Sequence, residues 1–142
     1  MSAALDDFVR VYQQLGKDNL VSLAEAYSPD VIFQDPWHKL QGLAALQAYF
    51  ANLYTNLSYC RFTIHQVQEN TTDANAFVLW QMDYAHPRLN SGNNIQVDGV
   101  SHLQFAEKVT YQRDYADMGQ MLYEHVPLLG AAIRFLKRRA TA

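Results

Sequence analysis

A single cysteine, Cys60, stands in the 142 residues. One thiol forms no internal disulfide and builds no Cys-rich zinc site. No stretch of 18 apolar residues occurs, so no membrane-spanning helix is expected. The first residues, Met1-Ser-Ala-Ala-Leu-Asp-Asp7, lack a basic region followed by an apolar run, which predicts no signal peptide and a cytoplasmic protein. Without secretion the sequons at Asn56-Leu-Ser58 and Asn70-Thr-Thr72 carry no meaning. A basic surplus is missing too: 11 Lys and Arg face 14 Asp and Glu, for a net charge of −3. That balance argues against a nucleic-acid partner. There is no Gly-rich phosphate loop and no paired histidine spacing, so neither a nucleotide cofactor nor a metal is expected.

What the chain does have is aromatic bulk: nine Tyr, seven Phe and two Trp. Its length is that of one domain, and its composition is that of a globular protein able to build a core and line a cavity. Leu5, Phe8, Val9, Tyr12 and Leu15 recur at helical spacing, with Gly16 as a stop. A second helix is read from Asn19 or Leu20 to Tyr27, and Ser28-Pro-Asp30 breaks it. Val31 to Asp35 reads as a short strand ended by Pro36. Gly42 opens the strongest helix, running to Tyr54 or Leu57 with Leu43, Leu46, Phe50 and Leu53 on its buried stripe.

The period then changes from helical to alternating. Strands are read over Tyr59 to Val67, Ala76 to Tyr84, Ile95 to Phe105 and Val109 to Tyr115, joined by turn-rich segments. Helical character returns from Met118 to Arg139, with a break near Pro127-Leu-Leu-Gly130. Helices segregated from a hairpin-rich sheet mean an α+β fold with a mostly antiparallel sheet. Residues 1–117 form the domain, and residues 118–142 a helical extension of it.

This order, with Phe33-Gln-Asp-Pro36 and Gly42 at the head of the third helix, resembles the SnoaL-like branch of the nuclear transport factor 2-like superfamily. The resemblance covers about Leu5 to Asp117. It implies a cone: a bent sheet wrapped on three helices around a deep apolar pocket, often dimeric through the open sheet face. The superfamily hosts ketosteroid isomerases, polyketide cyclases, limonene epoxide hydrolase and proteins without catalysis, so residues must decide. Asp35 matches the catalytic carboxylate of the isomerases. Gln81-Met-Asp83 is similar to the Arg-x-Asp of limonene epoxide hydrolase, with Asp83 at its acid and Gln81 in place of the arginine. Arg113-Asp-Tyr-Ala-Asp117 resembles a longer run of that enzyme, with Asp114 at a carboxylate that helps activate water. Tyr12 stands one residue out of register from the isomerases' oxyanion-hole tyrosine, and Ser101 falls where their second acid belongs.

Residue chemistry supports the same sites. Asp83 follows an apolar strand and shares a face with Phe77, Leu79 and Gln81. Burial there raises a carboxyl pKa and suits it to general-acid work. Asp114 follows the same logic, with Thr110 and Gln112 on its face. If the two strands bring both carboxyls to one water, one acts as base and the other as acid. Asp35 shares a face with Phe33, and a base there can move a proton between two carbons. The bland readings are strand-end, turn-capping and surface-paired aspartates. Trp37 and His38 follow at the pocket rim, where His38 would orient a ligand. The expected pocket residues are thus Phe33, Trp37, His38, Gln81, Ser101 and Tyr12. The tail, with Lys137-Arg-Arg139 at its end, is read as a lid or a dimer contact. The expected activity is cofactor-independent aspartate acid/base catalysis on a hydrophobic small molecule. The alternative is a non-catalytic binding or interaction module on the same cone.

Overall fold

A computed structural model describes residues 1–126 and 129–141. The elements in chain order are α1 (Ala3–Gln14), a 3-10 turn (Leu20–Ser22), α2 (Leu23–Ala26), β1 (Tyr27–Gln34), β2 (Lys39–Gln41) and α3 (Leu43–Asn56). There follow β3 (Tyr59–Asn70), β4 (Asn75–Ala85), a 3-10 turn (Asn90–Gly92), β5 (Ile95–Phe105), β6 (Val109–Ala116), α4 (Met118–Met121), a 3-10 turn (Tyr123–His125) and α5 (Leu129–Thr141). The six strands form one open sheet in the order β2-β1-β6-β5-β4-β3. All neighbours pair antiparallel except β1 and β6, which run parallel. The fold is therefore the α+β cone expected, with a mixed sheet dominated by antiparallel ladders.

Periodicity places the helices. Leu5, Phe8, Val11 and Tyr12 are the buried stripe of α1, and Leu46, Phe50 and Tyr54 that of α3. Both stripes pack on one face of the sheet in a common core with Val31, Phe33, Val78, Trp80, Met82 and Val97. Each such side chain removes about 2 kcal/mol worth of apolar surface from water. Register slips in β1–β6, β3–β4 and β5–β6 mark bulges, which bend the strands around this core. Gly42 turns the chain from β2 into α3 at φ 95°, a conformation that costs a side-chain-bearing residue, while its N–H bonds Val31 O at 2.7 Å.

Three expectations are corrected. Residues Tyr27 to Asp30 are strand rather than helix end and breaker. Pro29 is tolerated because the β1–β6 register breaks between Tyr27 and Ile32, where a missing N–H leaves no ladder bond unmade. β2, three residues long, was not expected; it hairpins onto β1 from Lys39 to Gln41. The helical tail is two helices separated by a 3-10 turn, and the expected break at Pro127 lies outside the described residues. No helix among the described residues is long and apolar enough to cross a membrane.

Candidate active site

Between the inner sheet face, α1, α3 and α4 lies a cavity of about 200 Å3. Its wall is aromatic and aliphatic, with Phe33, Tyr49, Phe50, Phe62, Trp80 and Met82 among its residues. α4 supplies Met121, and the Tyr84 hydroxyl donates to the Met121 carbonyl, which fastens that end. Two carboxyls, Asp35 and Asp114, open onto this apolar space.

Asp114 is placed by the sheet. The β5–β6 register sets it opposite Ser101, and Gln112 precedes it on the same face of β6. Trp80 Nε1 donates to Ser101 Oγ at 2.9 Å, and Ser101 Oγ donates to Asp114 Oδ1 at 2.5 Å. Gln112 Nε2 donates to the same carboxylate oxygen at 2.8 Å. Behind Gln112, the Tyr27 hydroxyl donates to Gln112 Oε1 at 2.5 Å and lies 2.5 Å from the Tyr12 hydroxyl. Gly99, opposite Trp80, makes room for the indole, because a Cβ there would sit 2.2 Å from the ring. Burial pushes the Asp114 carboxyl up to about 6, and the charge of Asp35 adds to the rise. The hydrogen bonds from Ser101 and Gln112, and Arg113, pull the other way.

Asp35 follows β1, and donors meet both of its carboxyl oxygens. Its Oδ1 accepts the backbone N–H of Trp37 at 2.8 Å and of His38 at 2.7 Å, the turn that Pro36 pre-forms. Its Oδ2 accepts the Tyr49 hydroxyl from α3. Burial first, and the Asp35 partner second, raise the Tyr49 phenol far above its ordinary range, so it stays a donor. His38 Nδ1 is 3.7 Å from Asp35 Oδ1 with its side chain half exposed; the ring packs edge-on against Tyr49, outside the cavity wall.

The structure separates the third acid from these two. Asp83 and Gln81 lie on the outer face of β4, because Trp80, Met82 and Tyr84 take the inner positions of the alternation. Asn94 donates to Asp83 at 2.9 Å and Gln81 at 3.1 Å, and with Gln96 they hold its carboxyl below the ordinary range, Asn94 contributing most. Desolvation was expected to raise Asp83; the carboxyl is lowered instead because this end of the outer face is open to water and the hydrogen bonds from Asn94, Gln81 and Gln96 outweigh the little desolvation there. Asp83 therefore cannot share a water with Asp114, and the cavity holds two acids rather than three. Of the remaining expected pocket residues, Tyr12, Phe33 and Trp37 line the cavity, Trp37 at its rim, whereas Ser101 stands behind Asp114. Sequence reasoning gave no role to Tyr49, Tyr27 or Trp80, and it put Gln112 on the face of Asp114 without assigning it one. The periodicity of α3 signals only that Phe50 is buried. Cys60 packs in the sheet, where burial pushes its thiol up to about 12. Among the described residues no group of three His, Cys, Asp or Glu could hold a metal ion.

An open bent sheet wrapped on helices, with a pocket whose carboxyls come from the end of β1 and from β6, defines the nuclear transport factor 2-like class of fold. Solved structures agree: a protein described as a SnoaL-like polyketide cyclase from Jannaschia sp. CCS1 is 16% identical, with a TM-score of 0.69 over 81% of this chain and 85% of that one. A protein of ketosteroid isomerase-like fold from Catenulispora acidiphila, in complex with trimethylamine, is 12% identical with a TM-score of 0.72 over 86% and 91%. An LEH-like epoxide hydrolase from M. tuberculosis is 14% identical with a TM-score of 0.64 over 83% of both chains. At these identities the likeness is one of fold. The SnoaL-like domain family matches residues 8–111, and the chain belongs to that family. No curated protein matches it.

Proposed function

We propose that the protein is an enzyme that works on a hydrophobic small molecule by cofactor-independent acid/base catalysis, with Asp114 and Asp35 as its two carboxyls. The observation that carries this reading is a deep carboxyl, pushed up to about 6, facing an apolar cavity that holds a second carboxyl. A group with that midpoint gives and takes protons at neutral pH without leaving either form unpopulated. Asp114 would protonate a substrate oxygen while Asp35, steadied by Tyr49 and two backbone N–H groups, removes a proton from carbon or water. Isomerisation, epoxide opening and cyclisation share that pair of steps. Two probes test it in D2O by NMR: α-proton exchange in 2-tetralone and hydration of styrene oxide. Wild-type protein should accelerate at least one, and Asp114→Asn should lose about 100-fold of it. Equal rates in the two proteins would sink the assignment.

A second reading has its own observation. Tyr12 is turned toward Tyr27 rather than offered as an oxyanion donor, and Gln81 is outside the cavity. A protein that binds 2-tetralone and turns over neither probe is then the non-catalytic binding module. The outer sheet face, with Phe77, Leu79 and Tyr115 exposed, would take a second copy of the chain in either case.

A further inference from the structure

We infer that Gln112 is a positioning residue: its amide, turned by Tyr27, joins Ser101 on Oδ1 of Asp114 and thereby makes Oδ2 the oxygen that gains and loses the proton. The inference deepens the acid/base reading of Asp114 and rests on it for its catalytic consequence, though not for its test.

The direction of every bond in the network is determined by what each group can donate. An indole N–H is a donor only. Ser101 Oγ accepts from Trp80, so its one proton goes to Asp114 Oδ1. On the other arm an amide oxygen only accepts, so the Tyr27 proton goes to Gln112 Oε1. Tyr27 has then no proton left for Tyr12, and the 2.5 Å contact between the hydroxyls is a bond donated by Tyr12. The far end of the amide, Gln112 Nε2, meets Asp114 Oδ1 at 2.8 Å and reaches Ser101 Oγ and Tyr12 only at 3.4 and 3.5 Å. Turning the amide round would set its carbonyl against the carboxylate. The carboxylate thus holds one end of Gln112 and Tyr27 holds the other. Both arms point their protons at Oδ1. A proton placed there would confront two donated hydrogens, whereas one on Oδ2 meets the cavity, and no described residue donates to Oδ2.

The arms also set the charge. Gln112 is buried at 1% exposure and is neutral, so it favours the ionised carboxylate through its hydrogen bond alone. The charged and titratable groups around Asp114 are Asp35 at the end of β1, Arg113 beside it on β6, and the hydroxyls of Tyr12, Tyr27 and Tyr49 from α1, β1 and α3. The Arg113 guanidinium lies over Tyr115, 4.9 Å from the ring centroid, on the outer side of the sheet. Desolvation and Asp35 raise the carboxyl; Gln112 and Ser101 are the groups within bonding distance that restrain it.

The experiment follows the side-chain carboxyl carbon of Asp114 by NMR in full-length protein labelled at aspartate, assigned by its loss in Asp114→Asn. Gln112→Met keeps the volume and removes the donor. Its titration midpoint should rise by about one pH unit, the worth of one hydrogen bond to a charged group. Tyr27→Phe, which deletes one hydroxyl and leaves the packing, should raise the midpoint by less, since the amide then loses its fixed sense. It carries the test if Gln112→Met does not fold. An unmoved or lowered midpoint in folded Gln112→Met overturns the inference, as does an unmoved midpoint in Tyr27→Phe. No substrate is involved. A raised midpoint in a protein inactive on both probes leaves the positioning role standing and removes only the enzyme reading.

Discussion

Asp114 and Asp83 are the same residue type on neighbouring parts of one sheet, yet they face opposite ways and titrate in opposite directions. On the inner face, Asp114 has aromatic walls and two donors on one oxygen, and burial drives its carboxyl up to about 6. On the outer face, Asp83 has three side-chain amides and open water, and its carboxyl is held down. The hydrogen bonds act alike in both; what differs is whether solvent can hydrate the charge. A carboxyl becomes a proton-transfer group near neutrality where hydration is removed faster than bonds replace it. The inner face does this and the outer face does not.

The largest expected effect comes from forcing the inner face apart. Gly99 is flat against the Trp80 indole, and an added Cβ would overlap the ring at 2.2 Å. Gly99→Ala should push Trp80 out of its slot and break its bond to Ser101. Overpacking costs about 3 kcal/mol, and a lost buried bond about 1 kcal/mol more. Denaturant unfolding measures the sum. A loss under about 1 kcal/mol would mean that the indole is not fixed and that the inner-face network has slack.

Much of this contrast was hidden in the chain for a physical reason. The segment from Ala76 to Tyr84 is bulky at both parities: Phe77 and Leu79 on one side, Val78, Trp80 and Met82 on the other. Alternation identifies a strand there and cannot say which face is inward, so Asp83 was expected in the pocket. The inward face is chosen by partners remote in sequence, Ser101 and Gly99 on β5. The element order, by contrast, was legible, because α1 and α3 each carry one clean apolar stripe and the four long strands are divided by polar turns, two of them rich in Asn, Asp or Thr and the third the short Ala106-Glu-Lys108. Asp35 was legible through Pro36 and Asp114 through its short family-like run. The Tyr27–Gln112 bond joins residues 85 apart and has no local signature. Neither has β2, whose three residues follow from pairing with β1 rather than from their own propensity.

A smaller effect separates the two aspartates by pH. Asp114 binds its proton more tightly in the folded chain than its ordinary 3.8 implies. The folded state therefore holds more protons than the unfolded one between about pH 4 and 6, and stability falls as pH rises through that window. Asp114→Asn removes the buried charge, and its amide oxygen still receives Ser101 and Gln112. It should be more stable than wild type by about 2 kcal/mol at pH 8 and level with it near pH 4. Asp83 has the opposite sign: its stabilisation is present at neutral pH and is lost as pH falls through its lowered range. Asp83→Asn should change stability by no more than about 0.5 kcal/mol at pH 8, since the site is open to water. Urea unfolding of the three proteins across pH 4 to 8 decides this. A wild-type curve that rises from pH 4 to 6 while Asp114→Asn stays flat would reverse the assignment of inner and outer carboxyl.

The smallest effect on the fold itself is expected from the outer face. Phe77 stacks on His102 at 4.6 Å, His102 meets Tyr111, and Leu79 lies opposite Val100, whose other neighbour is Tyr115. These side chains form a continuous apolar and aromatic band, and Phe77 and Tyr115 keep 46% and 54% of their surface exposed. A monomer leaves that band in water, and Leu79→Glu then costs no more than about 0.5 kcal/mol. If a second copy covers it, association stabilises the wild-type chain by mass action, and its melting temperature climbs with protein concentration. Leu79→Glu should abolish that dependence and give monomers by sedimentation equilibrium, with the Asp114 titration unmoved because the band and the cavity lie on opposite sides of one sheet. A wild-type protein that is monomeric at every concentration removes the second copy. A Leu79→Glu chain that shifts the Asp114 midpoint would be the stronger result, because it would show that the two faces are coupled through the sheet and that the outer band takes part in setting the inner charge.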